Sequence, residues 1–137
     1  MENKHKHLEM IQGVINRMAN NSFMLKGWAV TLVAGIFALA SRDADKIYFL
    51  VAYVPIVAFW GLDAYYLRQE RLYRKLYDKV RMKEENEIDF SMNAALPEFM
   101  TTKTSYPSTL ISITEIWFYL PLALLAAAVT LFSLALS

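Results

Sequence analysis

Cysteine is absent from the 137 residues, which excludes disulfides, thiol nucleophiles and sulfur-ligated metal or iron–sulfur centres. Histidine occurs twice, as His5 and His7 beside Lys4 and Lys6. Two imidazoles on one tail do not complete a metal site, and no apolar stretch holds a histidine to act as base for a serine or threonine. Glycine-rich phosphate loops, nucleophile elbows and metalloprotease motifs are also missing. The chain therefore reads as a non-enzyme without cofactor or metal. Its 14 basic and 13 acidic residues leave a net charge of +1, so no global field draws it to nucleic acid or to acidic substrates.

Charge is scarce in particular places. The sequence is 56% hydrophobic and 20% charged, with a mean hydropathy of +0.27. Its charges crowd into residues 1–26 and 68–104, leaving three long apolar stretches. Such segregation points to a bilayer rather than a water-soluble core. The first 26 residues are polar and contain no apolar stretch ending in a small-residue cleavage site, so a secretory signal peptide is not expected and the first span reads as an uncleaved anchor.

Leu8, Ile11, Ile15 and Met18 recur at helical spacing, with Glu9, Gln12, Asn16 and Arg17 on other faces. This predicts an amphipathic helix over 8–19, broken at Asn20-Asn21-Ser22, with Ser22 as N-cap of the next element. The first span is expected over 23–40, about 18 residues or ~27 Å of helix. Lys26 lies one turn inside it, able to snorkel toward the headgroups beside Trp28. Gly27, Thr31 and Gly35 form a small-residue face where a second helix can approach.

A short polar connection, Ser41 to Lys46, makes a hairpin with the second span, expected over 47–67. Tyr48 at one end and Trp60, Tyr65 and Tyr66 at the other suit interfacial girdles, and Pro55 should bend the span. No proline or glycine lies between Gly61 and Pro97, and Leu72, Leu76 and Val80 continue the helical period. One helix is thus expected from Ile47 to Glu85, its 68–85 part projecting into water and pairing its stripe with that of Leu8, Ile11, Ile15 and Met18. Residues 86–108 read as a connecting segment with a short helix around Ser91 to Leu96, docked through Phe90, Met92, Leu96, Phe99 and Met100. The third span is expected over 116–136, with Trp117 and Tyr119 at its start and Pro121 in its first turns.

The fold class expected is therefore all-α: an integral membrane bundle of three transmembrane helices, an amphipathic amino-terminal helix and a long cytoplasmic extension of the second span, forming a single domain over 1–137. Lys4, Lys6, Arg17 and Lys26, with eight further basic residues from Arg68 to Lys103, outweigh Arg42 and Lys46 in the hairpin connection. By the positive-inside rule the amino terminus is cytoplasmic and the carboxyl terminus periplasmic or extracellular. The basic flank at 68–81 faces anionic headgroups rather than binding nucleic acid directly.

Lys26, Asp63 and Glu115 put one ionisable group on each span at similar depth. An unpaired charge there costs at least ~2.5 kcal/mol, so mutual pairing is expected. A structural ion-pair cluster and an acidic ring at a pore mouth both remain open.

Asn21 to Trp28, and the run Arg68-Gln69-Glu70-Arg71-Leu72-Tyr73-Arg74-Lys75-Leu76-Tyr77, look like the helix junctions of the SLATT families. These are small bacterial membrane proteins associated with anti-phage and nucleotide-signalling operons. The order of a leading helix, a two-span hairpin and a trailing cytoplasmic helix resembles theirs over about two thirds of the chain, the third span lying outside the likeness. The resemblance implies a self-associating inner-membrane effector that permeabilises the membrane when a companion protein triggers it. The alternative is a non-conducting anchor that docks a soluble enzyme at the cytoplasmic face. A small transporter is disfavoured, because no charge lies at the middle of any span.

Overall fold

A computed structural model describes residues 2–43 and 50–136. Among these residues all regular structure is helical, with no strand. The long helices are α1 (Glu2–Asp43), α2 (Tyr53–Arg81) and α4 (Ile113–Leu136), and a short α3 (Tyr106–Leu110) precedes the last. Single 3₁₀ turns at Glu85–Glu87, Pro97–Phe99 and Thr102–Thr104 punctuate the segment between α2 and α3. The expected starts of the second span at Ile47 and of its girdle at Tyr48 lie outside the described residues, as does the end of the Ser41–Lys46 connection.

Helix α1 is one uninterrupted element of 42 residues, so the expected break at Asn20-Asn21-Ser22 does not occur and residues 8–19 and 23–40 share a single rod. Asparagine and serine weaken a helix by only a few tenths of a kcal/mol each. Tertiary contacts outweigh that here, since the Ser22 hydroxyl is engaged with α2 and does not cap its own backbone. Helix α2 runs antiparallel to α1: Lys4 reaches the Arg81 carbonyl, Lys26 reaches Asp63, and Val33 packs with Ile56. Helix α4 runs alongside α1 in the same direction, with Glu115 near Lys26 and Ala126 near Val33.

Pro55 sits at the third position of α2 rather than in the middle of a helix. It cannot donate to the Val51 carbonyl, and a turn at Ala52 separates helical Leu50 and Val51 from α2. At the other end α2 stops at Arg81 instead of Glu85. The Met82 and Lys83 amides close the last turn on Asp78 and Val80, and Lys79 and Arg81 complement the helix dipole. Pro121 does lie inside α4.

The expected helix over 91–96 is also absent. Asp89, Ser91 and Asn93 each use a side-chain oxygen to capture the amide two residues ahead, at 3.1, 3.1 and 2.9 Å. Three consecutive turns of this kind compete with helical bonding and hold the backbone extended. The resulting strap lies over the α1–α2 hairpin. Ile88, Ala94 and Phe99 join Ile11, Ile15, Leu72, Leu76 and Val80 in one buried cluster, with Leu8, Met92 and Leu96 at its edge. Arg68 and Arg71 donate to the Thr104 and Lys103 carbonyls at 2.9 and 2.7 Å and hold the end of the strap.

Among the described residues two helices are long and apolar enough to cross a membrane: α1, through its part up to Leu39, and α4. Only 11% of the most apolar 18 residues of each are buried. Phe23, Leu39, Val57, Trp117, Leu131 and Phe132 are all more than 60% exposed. Outward-facing apolar surface on this scale suits a lipid-facing exterior.

Candidate functional site: a buried interhelical ion cluster

Lys26 on α1, Asp63 on α2 and Glu115 on α4 converge where the three long helices meet. The Lys26 ammonium pairs directly with Asp63 Oδ2 and lies 3.6 Å from Glu115 Oε1. It also donates to the Ser22 hydroxyl, one turn earlier on α1, at 2.9 Å. That hydroxyl in turn donates to Asp63 Oδ1. From α4, the Tyr119 hydroxyl donates to Asp63 Oδ2 at 2.9 Å. Asp63 is therefore the hub, accepting from one ammonium and two hydroxyls contributed by two other helices.

The two carboxylates of the cluster are shut away from solvent, while Ser22 and Lys26 are half-buried. The side chains of Asp63 and Glu115 are 0% and 1% exposed, and that of Lys26 19%. Trp60 stacks on Tyr119 with ring centroids 5.9 Å apart and planes 3° from parallel, and its indole N–H donates to the Leu110 carbonyl at 2.9 Å. Lys26 lies 5.8 Å from the centroids of both the Phe118 and Tyr119 rings. These aromatic walls exclude water and strengthen each charge interaction inside them. Glu115 is the odd member: neither carboxylate oxygen has a hydrogen-bond partner, and Oε1 lies 3.6 Å from the ammonium.

The arrangement ties the three helices together through charge and hydrogen bonds. A cleft of about 260 Å³ opens beside the cluster, lined by Ser22 and Lys26 together with Ala19, Phe23, Leu67, Glu70 and Thr114. Among the described residues no group of three or more His, Asp or Glu could hold a metal ion.

The other residues singled out by spacing fall in two places. Leu8, Ile11 and Ile15 pack with Leu72, Leu76 and Val80 in the polar half, while Met18 is half-buried outside that cluster. Gly27 and Gly35 have nothing within 4 Å of where a Cβ would stand, and Thr31 is exposed, its hydroxyl returned to the Gly27 carbonyl at 2.9 Å. This face therefore points away from the chain's own bundle.

Ser22, Trp60 and Tyr119 belong to the cluster although spacing gave them other duties, as N-cap and as interfacial girdle. A readable signal existed. Ser22 precedes Lys26 by four residues and Tyr119 follows Glu115 by four, so each shares a helix face with a charge that must find partners.

No protein-family model matches this chain, and no curated protein or solved structure shows significant similarity to it.

Proposed function

We propose that this protein is a self-associating bacterial inner-membrane protein with three crossings, acting as a non-conducting anchor that holds a soluble partner at the cytoplasmic face. The crossings are the part of α1 from Phe23, the part of α2 up to Leu67, and α4. The amino terminus and the strap-covered hairpin lie in the cytoplasm and the carboxyl terminus outside, as the distribution of Lys and Arg favours.

One observation carries the anchor reading. Among the described residues of the apolar segments, Lys26, Asp63 and Glu115 are the only Lys, Arg, Asp or Glu, and all three are consumed inside a single chain, two of them wholly buried. A pore-lining acid faces an aqueous path. These carboxylates face their own helices.

The rival reading is a membrane-permeabilising effector of anti-phage defence, as the likeness to the SLATT families implies. It draws support from the outward face of Gly27, Thr31 and Gly35, through which copies could pack in lipid.

Expression in a bacterium while following a potential-sensitive dye separates the two. An anchor leaves the membrane potential unchanged during induction, and Asp63→Asn destabilises the fold without opening a conductance. Rapid depolarisation by the unaltered protein, with Asp63→Asn still assembled but altered in conductance, would replace the anchor reading with the effector.

A further inference from the structure

The Lys and Arg residues of α2 fall into two groups. Arg74, Lys79 and Arg81 each have a carboxylate partner: Glu70 at 2.9 Å, Glu98 of the strap, and Asp78 at 3.6 Å. Arg68, Arg71 and Lys75 pair with no carboxylate among the described residues, and steps of three and four residues set them on one side of the helix. The strap brings a fourth cation to that side. Arg71 donates to the Lys103 carbonyl and Arg68 to the next, that of Thr104, so two arginines one turn apart clasp consecutive peptides. The turn they grip is closed from within: the Thr101 amide donates to the Thr104 hydroxyl at 2.7 Å, and that buried hydroxyl donates to the Phe99 carbonyl at 2.8 Å. Lys103 is thereby fixed beside Arg71, with an exposed side chain that also has no carboxylate partner among the described residues.

Nearby acids do not offset this group. Asp63, Glu70 and Asp78 of α2 and Glu98 of the strap are each engaged with another cation. Like charges gathered without a counter-ion repel one another, and a bound anion relieves that repulsion. The two guanidiniums spend only part of their N–H groups on carbonyls, and the rest present the planar fork that suits phosphate oxygens.

Depth identifies the anion. Arg68 directly follows Leu67, where the proposed crossing by α2 ends. Beyond the gripped turn the chain runs along α2 toward its apolar half, with the Tyr106 hydroxyl donating to the Gly61 carbonyl and the Trp60 indole to that of Leu110. The four cations therefore stand at the rim of the apolar segments, where headgroup phosphates are the abundant anions. We infer that Arg68, Arg71, Lys75 and Lys103 form a binding site for the phosphate headgroup of an anionic phospholipid. The site rests on the membrane placement proposed above and is indifferent to whether the protein anchors a partner or conducts.

The full chain, in micelles of an uncharged maltoside detergent, is titrated with dioctanoyl-phosphatidylglycerol while the Nε–H signals of Arg68 and Arg71 are followed by NMR. Saturable movement of both is expected. Dioctanoyl-phosphatidylcholine, whose choline cancels the phosphate charge, should bind about tenfold more weakly, as should glycerol 3-phosphate, which lacks acyl chains. Lys75→Gln and Lys103→Gln each remove an exposed charge and should each weaken the anionic lipid about fivefold. Arg81→Gln removes the same charge about 20 Å along the helix from Arg68 and should leave the affinity unchanged. Equal loss in all three variants would overturn the site, leaving a diffuse attraction between charges. Equal affinity for glycerol 3-phosphate would overturn the lipid assignment in favour of free phosphate, and tighter binding of a uridine octanucleotide would overturn it in favour of RNA. Absence of saturation in a chain that stays folded in micelles would strike the site and spare the membrane placement, whereas a chain stable and monodisperse without detergent would strike both.

Discussion

At its polar end the α1–α2 hairpin buries Ile11, Ile15, Leu72, Leu76 and Val80 together and covers them with Ile88, Ala94 and Phe99 from the strap. At its apolar end the buried cluster, among the described residues, is Val33, Ile56 and Ala126, with Phe37, Tyr53, Leu122 and Ala123 around it. Among the described residues, the end richer in apolar residues thus has the smaller apolar core. Water explains the first case: removing a leucine or isoleucine side chain from it is worth roughly 1.5–3 kcal/mol. On the proposed membrane placement lipid explains the second, since tails are as apolar as a helix face and offer no gain on exchange. What remains to hold α1, α2 and α4 together there is polar. The Lys26–Asp63–Glu115 cluster, tied in by Ser22 and Tyr119, does for the apolar half what aliphatic packing does for the other.

The sharpest way to break this contrast is Asp63→Ala. It strips an ammonium and two hydroxyls of their acceptor and leaves Lys26 facing Glu115 across 3.6 Å. A loss of about 3–5 kcal/mol is expected, read as a fall in resistance to denaturing detergent. The combined change Lys26→Met, Asp63→Leu and Glu115→Leu should recover most of it, because apolar residues of similar volume replace a buried ion cluster at little net cost. If the triple variant proved as weak as Asp63→Ala, the site would need its charges for more than adhesion.

In the polar half, Leu72→Ala should cost about 2–4 kcal/mol through lost transfer energy and a residual cavity. Leu72 is 1% exposed and belongs to the main cluster. Hydrogen exchange should show the strap and the start of α1 loosening together while the amides around Val33 and Ile56 stay protected. Uniform loosening along the chain would mean that the two halves are one cooperative unit.

Asn93→Ala removes the oxygen that binds the Ala95 amide at 2.9 Å and should cost about 1 kcal/mol. Its diagnostic outcome is conformational. With one of three competing turns removed, helix should gain ground between residues 91 and 96, seen in carbon chemical shifts.

The smallest effect concerns Asp89. The backbone bond from Ser91, helped by Lys83 and Lys79, holds its carboxyl below the ordinary 3.8. A depressed carboxylate contributes its share of stability above that ordinary value and loses it as pH falls through the lowered one. The Ser91 amide should therefore exchange faster only well below pH 4, and acceleration at higher pH would show that the turn does not depend on the charge.

Periodicity made the stripes of α1 and α2 legible, because 3.6-residue spacing and burial in water are one phenomenon seen twice. Charge scarcity made Lys26, Asp63 and Glu115 legible, since an isolated ionisable residue in an apolar run has few ways to persist. Other features stayed hidden because they depend on partners distant in the chain. Ser22 resembles a helix start until Asp63, 41 residues away, takes its hydroxyl. Ser91 to Leu96 has the composition of a helix, and the turns set by Asp89, Ser91 and Asn93 prevail only where the strap lies against a hydrophobic floor. The left-handed Phe90 left no trace in composition at all.

Helix α1 threads both halves without a joint, its 42 residues reaching about 60 Å at 1.5 Å per residue. A stiff lever of that length has no compliant point at which motion can dissipate. Tilting its head by about 5° around the ion cluster moves the end of the apolar stretch, ~21 Å beyond Lys26, by about 2 Å.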